Sequence, residues 1–250
     1  MKDLKFGWKP DLPDQRDFQY KAAPLKTLPP IIDLRKNCPP VYDQGSLGSC
    51  TANAIAAAVQ FNQMKKRDPD TFMPSRLFIY YNERLMEGTV KYDSGAMIRD
   101  GIKSVNKQGV CKETTVPYIT TRFTIKPPIN AYKEAIKYRT LVYSAVSQDI
   151  TSVKECLASG DVFVFGFAVY SSFVTPIVAN TGIMPVPKYR ETLLGGHAVT
   201  CVGYDDTKQW LICRNSWGIG WGDKGYFYMP YAFFFTNQTT DFWSIKDVMI

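Results

Sequence analysis

The sequence predicts an α+β fold in which a mainly helical first half faces a mainly β second half across a cleft. Three observations carry this. From Cys50 to about Lys65 an alanine-rich segment places Ala52, Ile55, Ala56 and Val59 on one helical face. Two further helical periods follow. One runs from Ser75 to about Glu87 with Leu77, Tyr81 and Leu85 turned inward, the other from about Ala96 to Lys107 with Ile98, Ile102 and Val105. After a short helix at Ile150–Leu157 the pattern changes to strand-like runs, Val162–Val169, Ala198–Tyr204, Gln209–Cys213 and Tyr226–Met229, punctuated by Gly and Asp.

The 250 residues suffice for one large domain or two intimate ones. Residues 1–30 read as an N-terminal arm or short leader. Residues 31–250 form the body, helical over about 31–140 and β-rich over about 141–250. In the arm, Trp8 to Asp17 is rich in proline and charge without a period, and Pro24 and Pro29-Pro30 keep it extended. Phe6 and Trp8 call for burial, so the arm is expected to lie over the body. Residues 31–49 carry turn signals at Pro39-Pro40 and Asp43-Gln44-Gly45. Ser49 or Thr51 is positioned to cap the first helix, which places Cys50 at a helix N-terminus where the dipole favours a thiolate.

Composition excludes several classes. The net charge of +7 comes from scattered bases, the densest cluster being Lys65-Lys66-Arg67, and describes a solvated surface, so no nucleic-acid partner is expected. The longest apolar run, Val162–Tyr170, is too short to cross a bilayer, and Met1-Lys2-Asp3-Leu4-Lys5 has no apolar core, so neither a membrane span nor a signal peptide is expected. The six cysteines form no Cys-x-x-Cys pair, and with one histidine no metal site is expected. If Cys50 is a free nucleophile, the five others cannot all pair, which fits a reducing compartment. Cys201 and Cys213 are expected as buried free thiols on neighbouring strands.

His197, in Gly195-Gly196-His197-Ala198-Val199, is the only histidine, so any chemistry that needs a group titrating near neutrality must use it. Cys50, among small neighbours, is the candidate nucleophile. Asn215 offers a side-chain oxygen to orient the imidazole, and Trp217 is placed to shield that bond. Gln44 can donate its amide to an oxyanion beside the Cys50 N–H.

Together these residues resemble the papain-like cysteine peptidases, which include the cathepsins. The resemblance covers roughly residues 30–250. It is carried by Gln44-Gly45-Ser46-Leu47-Gly48-Ser49-Cys50-Thr51, by the histidine strand with Gly203-Tyr204 following, and by Arg214-Asn215-Ser216-Trp217-Gly218-Ile219-Gly220-Trp221-Gly222. It implies the papain-like two-subdomain fold with a β-barrel-like right half. It also implies catalytic roles for Gln44, Cys50, His197 and Asn215, acting on peptide or protein substrates without a cofactor. By the same resemblance Gly95 pairs with substrate backbone. Met97, Val162 and Gly195 line the pocket for the residue two before the scissile bond, and Gly48, Gly196 and Trp217 also contact substrate. Leu47 stands where secreted relatives have a cysteine, and Thr51 replaces the usual aromatic. The expected activity is that of a monomeric endopeptidase resting as a Cys50–His197 ion pair, with the arm able to inhibit it. The alternatives are an aminopeptidase whose cleft the arm partly blocks, and a catalytically silent peptide-binding module. The absence of disulfide staples and of a large pro-domain resembles microbial or viral members, so a cytoplasmic location or packaging in a particle is expected.

Overall fold

The computed structural model describes residues 4–21 and 27–248; the readings made at Met1–Asp3 and at Pro24 lie outside them. The alanine-rich segment forms α1 (Cys50–Lys65), with the predicted boundaries. It is buried on nearly every side rather than on one face, because its small side chains let neighbours approach all round. Neither predicted cap acts as one. The Ser49 hydroxyl pairs with the Tyr118 hydroxyl, and Thr51, already inside the first turn, donates to Glu83 Oε1 at 2.6 Å.

The next helix, α2 (Arg76–Met86), is capped by Ser75, whose hydroxyl accepts from the Phe78 N–H at 3.1 Å. Leu77 and Tyr81 are buried as expected, but Leu85 is 48% exposed. Arg84 takes the inward place instead. Its guanidinium lies over the Tyr80 ring and donates to the carbonyls of Tyr80, Val90, Tyr92 and Phe123, which ties the following loop to the helix. The third predicted helix begins two residues late, as α3 (Ile98–Gln108), because Ala96–Met97 is a short strand. A fourth helix, α4 (Ile129–Ala135), closes the helical half.

The β side is a seven-stranded antiparallel sheet, to which Ile31–Asp33 from the first half of the chain adds one strand. Its strands are β1 (Ile31–Asp33), β2 (Thr140–Ala145), β3 (Phe163–Tyr170), β4 (Leu193–Asp205), β5 (Trp210–Arg214), β6 (Tyr226–Pro230) and β7 (Thr239–Val248). The order is β2-β7-β3-β4-β5-β6, with β1 also pairing β4. The helix α5 (Ile150–Ala158) precedes β3, two short helices, α6 (Pro176–Thr181) and α7 (Tyr231–Phe234), lie between later strands, and Phe163, Phe165, Phe167, Phe227, Phe234 and Phe242 fill the β-side core. Cys201 and Cys213 face one another in register as free thiols. Among the described residues no helix is long and apolar enough to cross a membrane.

Two substitutions separate these assignments. Phe165→Ala is expected to lower unfolding stability by about 3–5 kcal/mol, read as a fall in the urea midpoint. Leu85→Ala should change it by less than about 0.5 kcal/mol, since the side chain is half in solvent.

Candidate active site

The site forms where α1 begins against β4. Thr200 on β4 donates to the Ala54 carbonyl of α1 at 3.2 Å, which sets the two elements in contact. Cys50 is the first residue of α1 and is fully buried. Its sulfur lies against the backbone N–H groups of Ala198, the residue after His197, and of Gly7. The sulfur thus lies against the backbone one residue along β4 from His197.

His197 Nε2 lies 2.8 Å from Asn215 Oδ1, and the Ser216 N–H donates to the same oxygen at 2.8 Å. That second bond fixes which end of the amide is the oxygen, so the imidazole must donate from Nε2. Nδ1 is left as the basic nitrogen, buried and without a partner among the described residues. Trp217 stacks on the imidazole at 4.7 Å between centroids and 24° between planes, and covers the hydrogen bond.

Gln44 is held by its Oε1, which accepts from Ser216 Oγ at 2.6 Å, and by its N–H, which donates to the Ser216 carbonyl at 2.8 Å. Its Nε2 donates to the carbonyls of Leu47 at 3.0 Å and of Lys5 at 3.2 Å. A backbone carbonyl of the arm thus occupies the place the amide points to.

The arm fills the cleft as a whole. Phe6 stands edge-on to His197 and Trp217, at 6.4 and 6.2 Å between centroids. Trp8–Lys9 pairs in parallel with Ala96–Met97, and Gly7 O accepts from the Ala96 N–H at 2.8 Å. Gly95 and Gly48 abut Gly7: a Cβ on Gly95 would lie 1.9 Å from Gly7 O, and one on Gly7 would lie 1.8 Å from Gly48 O. Gly195 faces Phe6 and Gly196 the Trp8 carbonyl, so the room these glycines leave is taken by the arm. Met97 is half-buried and binds Glu87 through its N–H. Val162 is not brought to this group. It is 1% exposed in the core, and the position facing the cleft is Gly166, opposite Ala198, where a Cβ would lie 1.9 Å from the Trp8 ring. Beyond Trp217 a cavity of about 850 Å³ continues, lined by Leu4, Phe6, Val174, Leu194 and Trp221 among others.

Burial dominates the electrostatics. It pushes the Cys50 thiol up to about 12, which the N–H groups of Ala198 and Gly7 only partly oppose. It pulls His197 down to about 4 against the Asn215 hydrogen bond. Covered by the arm, both groups are buried in a way that disfavours the charges of the resting ion pair expected from the sequence. Among the described residues no cluster of three or more His, Cys, Asp or Glu could hold a metal.

Residues 28–237 match the family model described as papain family cysteine protease. An uncharacterized peptidase-like protein of Acanthamoeba polyphaga mimivirus is 44% identical over 97% of this chain and 87% of its own length. A probable cysteine protease of Arabidopsis thaliana is 31% identical over 84% of this chain, which spans 45% of that longer relative. The crystal structure of xylellain, a cysteine protease from Xylella fastidiosa, superposes with a TM-score of 0.91 at 48% identity, covering 99% of this chain and 97% of the other. A procathepsin B of Trypanosoma congolense shares the fold at a TM-score of 0.79 and 17% identity, covering 98% of this chain and 87% of the other.

Because His197 is unique, its titration can be followed by NMR without assignment ambiguity. The midpoint in the arm-covered protein is expected near 4; a midpoint at 6 or above would contradict the lowering by burial.

Proposed function

The chain belongs to the papain family of cysteine proteases, and we propose that it hydrolyses peptide bonds as an endopeptidase through Cys50, His197, Asn215 and Gln44, with the arm as its inhibitor. The observation that carries the catalytic part is the 2.8 Å bond from His197 Nε2 to Asn215, which leaves Nδ1 to act as the base. When the arm leaves, water and substrate enter, and the thiol proton passes to Nδ1. The thiolate attacks the carbonyl carbon, and Gln44 Nε2–H and the Cys50 N–H take the oxyanion. The imidazolium protonates the departing amine as the carbon–nitrogen bond breaks. Water, deprotonated by the same imidazole, then attacks the acyl-enzyme and frees the thiol.

Supporting the endopeptidase reading over an aminopeptidase is the run of the arm itself. Residues 4–11 pass along the cleft from Trp217 to Asp241, and the cavity continues on the Trp217 side, so a chain can extend both ways. Supporting inhibition is the burial of both reacting groups beneath Phe6, Gly7 and Trp8.

Cys50→Ala is expected to lower turnover of a fluorogenic peptide at least about 10³-fold with the melting temperature retained; preserved turnover would refute the assignment. Trp8→Ala removes the arm's main anchor, so alkylation of Cys50 by iodoacetamide should quicken at least tenfold. Equal rates would reject the arm as inhibitor. Peptides with blocked N-termini should be cut as readily as free ones, and strict dependence on a free amine would favour the aminopeptidase.

A further inference from the structure

The arm is fastened to the body by two carboxyl groups that face each other across the junction. Asp11, on the arm, gives its backbone N–H to Asp241 Oδ2 at 2.9 Å, and Trp8 Nε1 donates to the same oxygen at 2.9 Å. In return Trp243 Nε1, on β7, donates to Asp11 Oδ2 at 2.9 Å, and the Arg99 N–H, on α3, donates to Asp11 Oδ1 at 3.1 Å. Asp241 has φ +61° at the point where the β3–β7 register shifts, which aims its carboxyl at the arm. The two carboxyls are thus linked crosswise through each other's neighbours, half-buried at the junction of arm and body.

We propose that Asp11 and Asp241 form a proton-operated latch that holds the arm in the cleft while one of them keeps a proton and loosens when both ionise. The inference rests on the reading of the arm as inhibitor and adds what controls it.

The surroundings decide the direction. Burial, then the charge of Asp241, raises Asp11 to about 7 despite the Trp243 and Arg99 bonds. Burial raises Asp241 too, against the N–H groups of Asp11 and Trp8, the Thr240 hydroxyl and the Arg99 charge. Arg99 is the cation that faces both carboxyls, but it also pairs with Asp17 at 2.6 Å and donates to the Leu12 carbonyl, so its charge is shared. Further along the arm, Lys9 pairs with Glu87 at 2.8 Å. Once the arm swings out, both carboxyls are solvated and return towards about 3.9. The closed state therefore binds a proton that the open state gives to solvent. Acid favours closure. Opening becomes easier as pH rises through the window from about 3.9 to about 7, and gains nothing more above it.

Asp241→Asn makes the test specific. The amide oxygen can keep both N–H bonds at the Oδ2 place, its NH₂ can donate to the Thr240 hydroxyl, and asparagine tolerates φ +61°. Amide hydrogen exchange over residues 4–12 of the full chain would be followed at pH 5 and pH 8, divided by the intrinsic rates. Iodoacetamide alkylation of Cys50 would be run in parallel. Wild-type protection should fall at least tenfold from pH 5 to pH 8, within the limit of about tenfold per pH unit that one proton allows. Asp241→Asn, which removes the like charge but leaves Asp11 buried, should fall less steeply than wild type. Asp11→Ala, which sits on the arm and spares the body, should be weakly protected at both. Wild-type protection that ignores pH, or Asp241→Asn following the wild-type profile, would overturn the latch. Equal alkylation of Asp11→Ala and wild type would instead show that the arm is no barrier, and would remove the inhibitory reading while exchange still reported on the latch.

Discussion

The contact on which the rest depends is that of α1 with β4. It sets the Cys50 sulfur against the N–H of Ala198, next in sequence to His197, and the alanines that line the helix allow it. Small side chains let a helix and a strand approach closely, and Thr200 adds a hydrogen bond across the join. The same closeness means that α1 has no solvated face. Its asparagines are satisfied inside: Asn53 by Ser49, Asn62 by Ala58 and by the Ile245 carbonyl.

On this frame the second constraint is dryness. Asn215 and Trp217 hold the imidazole in one tautomer, but they do not charge it. With Phe6, Gly7 and Trp8 overhead, neither the thiol nor the imidazole has the water that would support ionisation. On the proposed function, the cover both keeps substrate out and disfavours the ionised nucleophile.

Much of this was legible in the chain. The boundaries of α1 were readable because a run of alanines ends in lysines. The glycines before His197 signalled a close approach of backbone, although the backbone found there is the arm's own. What stayed hidden depends on register and on pairing at long range. Val162 was named as a pocket residue and Gly166 went unnamed, because the offset between β3 and β4 is not written in either strand. The strands Thr140–Ala145 and Thr239–Val248 went unread, and with the latter Asp241, whose partner lies at the other end of the sequence. Leu85 was misplaced because periodicity sees an apolar residue and not the buried arginine beside it.

The tryptophan and aspartate on the arm are matched crosswise by an aspartate and a tryptophan on the body. Each indole grips the carboxylate that its own neighbour's chain does not carry. Loosening either indole weakens the seat of the carboxylate it holds, so the two contacts at opposite ends of the sequence support one another.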